Sequence, residues 1–153
     1  MCIRDRALTG VNLANNVSVA TGGNTLTLDA NGNAMTNSGS VSGSDASLKV
    51  SSSTGAGTVT LSGANSYGGA TVVNNGTLAL GSANALPSTT ALTVRSNAVL
   101  NINGNNGTVA TLSDGGTTSS VITNSGSAST LTVNGSSASS LSLIHISEPT
   151  RPY

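Results

Sequence analysis

Few residues in this chain are able to do chemistry, and their spacing limits what each could do. Asp29-Ala30-Asn31-Gly32-Asn33 alternates oxygen-bearing side chains in the manner of a calcium loop. An EF-hand loop closes on a Glu at its twelfth position, and no Glu follows at that distance. The Gly/Asp nonapeptides of calcium-binding β-rolls are missing as well. The five residues are therefore read as an Asn-Gly turn between strands. Arg95 and Asp114 are a cation and an acid of the kind β-helix polysaccharide lyases use. Such a site needs several groups converging in a cleft, so two isolated charges are expected on solvated turns or outward faces. Lys49 has no phosphate-cradling glycine loop around it. Cys2 would serve as a nucleophile and His145 as a general base, but both lie in terminal segments of a different character.

Those segments read Met1-Cys2-Ile3-Arg4-Asp5-Arg6 and Leu141-Ser142-Leu143-Ile144-His145-Ile146-Ser147 onward to Tyr153. Both fit one transposase-type sequencing adapter translated in its two orientations. Residues 1–6 and 141–153 are accordingly set apart from the fold. Residues 7–140 are taken as a fragment of something longer, so a missing leader or anchor carries no meaning. No catalytic residue, metal ligand or cofactor-binding residue is assigned.

Between residues 7 and 140 the charged residues are Lys49, Arg95, Asp29, Asp45 and Asp114, and the lone aromatic is Tyr67. Tyr67 is expected to pack or to shape a turn rather than to bind a ligand. A charged fraction of 7% is far below the usual quarter. The formal net charge of zero leaves no basic footprint for nucleic acid. Sparse charge without large apolar residues usually means disorder. Here the apolar residues instead alternate in short runs divided by Gly, Asn and Ser, which is a strand signal. Strands are expected at 17–20, 25–28, 48–51, 58–62, 70–73, 77–80, 91–94, 99–102, 108–112, 120–123 and 130–133. An irregular turn is expected at 83–86, before Pro87. No apolar stripe of helical period occurs.

The runs recur. Val59, Leu78, Leu100 and Val121 form one expected row, and Val72, Leu92, Val109 and Leu131 a second. A period of this size means stacked units that cannot bury a face alone. The expected fold is an all-β, right-handed parallel β-helix of roughly six coils, each about 4.8 Å above the last. Its core would draw on Leu61, Val73, Leu78, Leu80, Leu92, Val94, Leu100, Ile102, Val109, Leu112, Val121, Leu131 and Val133. The Ser/Gly-rich stretch 39–54 has few such anchors and is expected to loop out or to pair loosely.

The densest pattern lies in residues 57–81: Gly57, Leu61, Ser62, Gly63, Asn65, Tyr67, Gly69, Thr71, Val73, Gly76, Thr77, Leu78, Leu80 and Gly81. These positions fall on the wording G-x-L-T-L-S-G-x-N-x-Y-x-G-x-T-x-V-x-x-G-T-L-x-L-G. That stretch resembles the autotransporter-associated β-strand repeat, or passenger-associated transport repeat, of bacterial type V secretion. The resemblance implies a β-helical passenger segment, without chemistry of its own, that supports export of the passenger across the outer membrane. It implies exposure on, or release from, a Gram-negative cell. It also implies a partner in the passenger's own C-terminal transporting β-barrel, with no nucleic acid and no small-molecule substrate. Cell-surface ligands would be met through other parts of the parent protein. An adhesin stalk shares the fold and is the alternative; a β-helix hydrolase or lyase is disfavoured by the missing charged cleft.

Overall fold

A computed structural model describes residues 2–4, 11–115 and 119–135. Every regular element in it is a β-strand, and every pairing is parallel. Strand β1 (Cys2–Arg4) precedes the first full coil, which contains β2 (Val11–Leu13), β3 (Val17–Ser18) and β4 (Thr25–Asp29). The second coil holds β5 (Ala34–Asn37), β6 (Val41–Gly43) and β7 (Ser47–Ser51), and the third β8 (Thr58–Leu61), β9 (Ser66–Tyr67) and β10 (Thr71–Val73). The fourth has only β11 (Gly76–Leu80) and β12 (Ala91–Val94). The fifth holds β13 (Ala98–Asn101), β14 (Gly107–Val109) and β15 (Thr111–Ser113). Strands β16 (Val121–Thr123) and β17 (Leu131–Val133) begin a further turn.

Stacking these coils gives a parallel β-solenoid of about five turns, slightly shorter than the six expected. Two six-stranded sheets form two sides, in the orders β1-β4-β7-β10-β12-β15 and β2-β5-β8-β11-β13-β16. The third side is divided into β3-β6-β9 and β14-β17. The division falls where the fourth coil passes through Pro87, which has no N–H to give to a ladder. The chain turns there instead, Ala85 N–H bonding Ser82 O at 3.2 Å.

Alternation along each strand sends every second side chain inward. One inward row runs Val11, Met35, Val59, Leu78, Leu100, Ile122 up the second sheet. In the first sheet the rows are Leu26, Leu48, Thr71, Leu92, Leu112 and Leu28, Val50, Val73, Val94. All of these from Leu26 to Leu112 are buried. Each fully buried Leu or Val contributes about 1.5–3 kcal/mol, so adjacent coils are held by stacked aliphatic contacts rather than by one central core.

Both expected rows need correction. Val121 pairs with Val99 and is 45% exposed; its neighbour Ile122 continues the inward row. Val72 faces outward opposite Thr93, whereas Leu92 faces inward. Val109 belongs to the third side, opposite Val133. The physical reason is the two-residue period: coils differ in length, so equal sequence spacing can land on opposite faces. Val11 to Met35 is a step of 24 residues and Val59 to Leu78 a step of 19. Of the expected core, Val133 is also exposed (39%) and Leu131 only partly buried, because both lie in the last, partial turn.

The stretch 39–54 neither loops out nor pairs loosely. It supplies β6 and β7, which pair with coils on both sides, and it buries Val41, Ala46, Leu48 and Val50. Its serines and glycines fill corners where adjacent coils leave no room. A Cβ on Gly39 would come within 2.1 Å of Asn15 O.

Candidate functional site: the repeat coil

Residues 57–81 make up the third coil and the first strand of the fourth. The motif's aliphatic positions, Leu61, Val73, Leu78 and Leu80, are all fully buried. The motif's Tyr67 and Thr71 are buried as well, and their presence in an aliphatic interior requires polar partners. Tyr67 Oη lies 2.7 Å from Thr71 Oγ1, which lies 2.9 Å from Thr90 Oγ1. Thr90 Oγ1 donates to Gly69 O at 2.9 Å and ends the chain. Burial pushes the Tyr67 phenol well above its ordinary range, so it stays neutral, a hydrogen-bonding group rather than an acid. Tyr67 therefore packs, as its isolation in the sequence suggests. Thr90, outside the motif, completes the network. It stands two residues before Leu92, the register partner of Thr71, and carried no signal in the sequence.

Asn65 ties three coils together. Its Oδ1 accepts the N–H of Val41 in the second coil at 2.7 Å, and its Nδ2 donates to Ala85 O in the fourth at 2.6 Å. Its own N–H reaches Asn84 O at 3.1 Å. Asn75, two corners later, grips the coil before it: its Oδ1 accepts the Ser52 N–H at 3.0 Å and its Nδ2 donates to Ser52 O.

The motif glycines mark close approach between coils. A Cβ on Gly63 would come 2.1 Å from Gly39 O, and one on Gly81 2.1 Å from Ser62 Oγ. Gly57 and Gly69 are similarly crowded, by Ala30 and Ser52 and by Ala46 and Ser47. Gly76 is held at φ +74°, which strains any L side chain. Thr77 is half-buried on the outer face, and its N–H bonds Gly57 O at 2.8 Å. The arrangement recognises backbone and side chains of the neighbouring coils.

The remaining candidates separate. Asp29–Asn33 is a turn, as the Asn-Gly dipeptide suggests: Asp29 Oδ1 accepts the Asn31 N–H at 3.0 Å and the Ser53 N–H at 2.9 Å. Among the described residues no three His, Cys, Asp or Glu gather as metal ligands. Arg95 is exposed and Lys49 half-buried on the outer face of β7. Asp114 departs from expectation, for it is only 4% exposed; the alternation that buries Leu112 also turns Asp114 inward. Asp45 is exposed and accepts the N–H groups of Gly22 and Gly23, each at 2.7 Å, which hold its carboxyl below the ordinary range. Cys2 lies in β1, and His145 lies outside the described residues. Among the described residues no helix is long and apolar enough to cross a membrane.

Residues 54–80 match the family model of the passenger-associated-transport-repeat. The match falls on the coil whose contacts are described above, and together with the solenoid it fits an autotransporter passenger segment. The matched family is a structural repeat of such passengers, not an enzyme family. No curated protein and no solved structure matches the chain.

Proposed function

We propose that this chain is a structural segment of an autotransporter passenger and that its coils support export by folding one upon another outside the cell. The observation that carries this reading is the repeat match on a coil whose motif residues bond to the neighbouring coils. Each added coil buries an aliphatic row and closes polar bonds to the coil before it, so a stretch that has folded resists being drawn back. Sparse charge is compatible with passage of the unfolded chain through a narrow pore. The partner is then the passenger's own transporting β-barrel, and the location the cell surface or the medium.

The test is export of a chimeric passenger carrying residues 7–140, with and without residues 57–81, scored by protease accessibility on intact cells. Slower or reduced surface delivery on deletion is expected. Equal delivery would sink the export role while leaving the fold untouched.

We also propose that residues 1–6 and 141–153 are adapter-derived. The pairing of Cys2–Arg4 with β4 is compatible with this, since an edge strand is held by backbone bonds that any extended segment makes. The coding DNA decides: ends that are not reverse complements of one another refute it.

A further inference from the structure

The corner at Asp29–Asn33 lies outside the repeat motif, yet it recurs at Asn101-Ile102-Asn103-Gly104-Asn105 on a different edge of the solenoid. The first joins β4 to β5, and the second follows β13. In both, the central Asn and Gly take positive φ: 48° and 81° for Asn31 and Gly32, 50° and 75° for Asn103 and Gly104. In both, the first side-chain oxygen accepts the central Asn N–H, at 3.0 Å from Asp29 and 2.9 Å from Asn101. In both, the last Asn bonds back through its N–H to the second residue's carbonyl, at 2.9 and 2.8 Å. Its Nδ2 donates to the central Asn carbonyl at 3.1 Å in each case. Every one of these bonds closes within the five residues.

The same groups then grip the following coil, with identical sequence separations. Ser53 N–H donates to Asp29 Oδ1 and Ser125 N–H to Asn101 Oδ1, each 24 residues apart. Ser53 Oγ donates to Asn31 Oδ1 and Ser125 Oγ to Asn103 Oδ1, each 22 apart. Gly32 N–H donates to Ser52 Oγ and Gly104 N–H to Asn124 Oδ1, each 20 apart. The glycines leave no space for a side chain: a Cβ would meet Thr54 O at 2.5 Å from Gly32 and Ser127 N at 2.9 Å from Gly104.

We infer that (Asp/Asn)-x-Asn-Gly-Asn is an intramolecular docking site whose ligand is the serine-bearing turn of the next coil. It sets register where that turn cannot do so itself. Residues 51–57 and 124–130 contain no apolar side chain larger than Ala, so their own burial does not distinguish one alignment from the next. A slip of one residue there would cost the three bonds together. The first position needs an oxygen that accepts two N–H groups, a role Asp and Asn both fill. The inference concerns coil register and stands apart from the export role.

The test is Asn31→Gly in the whole chain, which keeps positive φ available and removes the side-chain oxygen. Hydrogen exchange is the readout. The amides of Ser52 to Gly57 should exchange about tenfold faster, the scale of losing one or two hydrogen bonds, while Thr77–Leu80 and Ala91–Val94 keep their protection. Ser53→Ala should loosen the same stretch, and the double variant should be no worse than the more severe single one. Asn97→Gly is the control, at φ 61° but with no side-chain hydrogen bond to a neighbouring coil among the described residues. Unchanged protection at 52–57 in Asn31→Gly, additive effects in the double variant, or equal loosening by the control would each overturn the docking site. Should Asn31→Gly fail to fold, Ser125→Ala paired with Asn103→Gly at the second corner gives the same readout at the Ser125 turn.

Discussion

Tyr67 in the third coil and Gly43 in the second stand at the same register, one directly above the other. The third coil fills that position with a ring and satisfies its hydroxyl through Thr71 and Thr90. The second leaves it empty of side chain, packing its backbone against Ala46 and Val19 instead. The contrast extends around the two coils. The third carries the recognised repeat, with Leu61, Tyr67, Thr71 and Val73 pointing into a continuous interior. The second runs on into Ser51–Gly57, where Ser52, Ser53 and Thr54 are fastened by hydrogen bonds to Asp29, Asn31 and Gly32. One solenoid thus holds adjacent coils together in two ways: by aliphatic rows, which leave a pattern within one coil, and by polar corners, whose partners lie a full coil away.

The largest loss is expected from the aliphatic row. Leu78→Ala should cost about 2–5 kcal/mol, because a stacked interior between fixed backbones cannot collapse onto the cavity. Val72→Ala, on the outward face, should fall within about 0.5 kcal/mol of the parent. Urea titration of both variants checks the difference; equal costs would mean that the two faces are wrongly assigned.

Asn65→Ala comes next. It orphans Val41 N–H on one side and Ala85 O on the other, at about 1–3 kcal/mol for each group left unsatisfied. Faster amide exchange at Val41 is the specific sign, since a merely local role would leave the second coil unaffected. Tyr67→Phe removes one hydroxyl and leaves Thr71 and Thr90 to each other, so a smaller loss of about 0.5–1.5 kcal/mol is expected from thermal melting.

The smallest effect belongs to Asp45. Its carboxyl titrates below the unfolded value because the Gly22 and Gly23 N–H groups stabilise the anion. A depressed folded pKa means that the contribution is present above the unfolded value and fades as pH falls through the folded one. The turn at 21–24 should therefore loosen only in acid, seen as movement of the Gly22 and Gly23 amide resonances together. Asp45→Asn should remove that acid transition without disturbing the paired strands.

The strand positions were legible because Thr, Val and Leu alternate with turn residues, and each expected strand overlaps an observed one. What escaped were the short strands with weak patterns. Ala34–Asn37 puts an Asn on an inward row, and Ser66–Tyr67 is only two residues long. Among the motif residues, Tyr67 was readable as a packing residue from its isolation. The role of Asn65 was not, since neither Val41 nor Ala85 carries any mark of donating or accepting there. Asp114 misled for a related reason: a charge is normally solvated, but its face follows from the strand that precedes it.

Composition and local pattern by themselves determined that the described residues form strands and turns, that they repeat about every twenty residues, and that they carry the repeat wording over one coil. Those properties are written in the order of residues along the chain, within single strands and turns and from one repeat to the next. The tertiary structure alone decided which rows face inward, where the third side is interrupted, and which serine each corner holds. Those depend on alignment between coils whose lengths differ, and a difference of one residue turns every side chain of a strand to the other face.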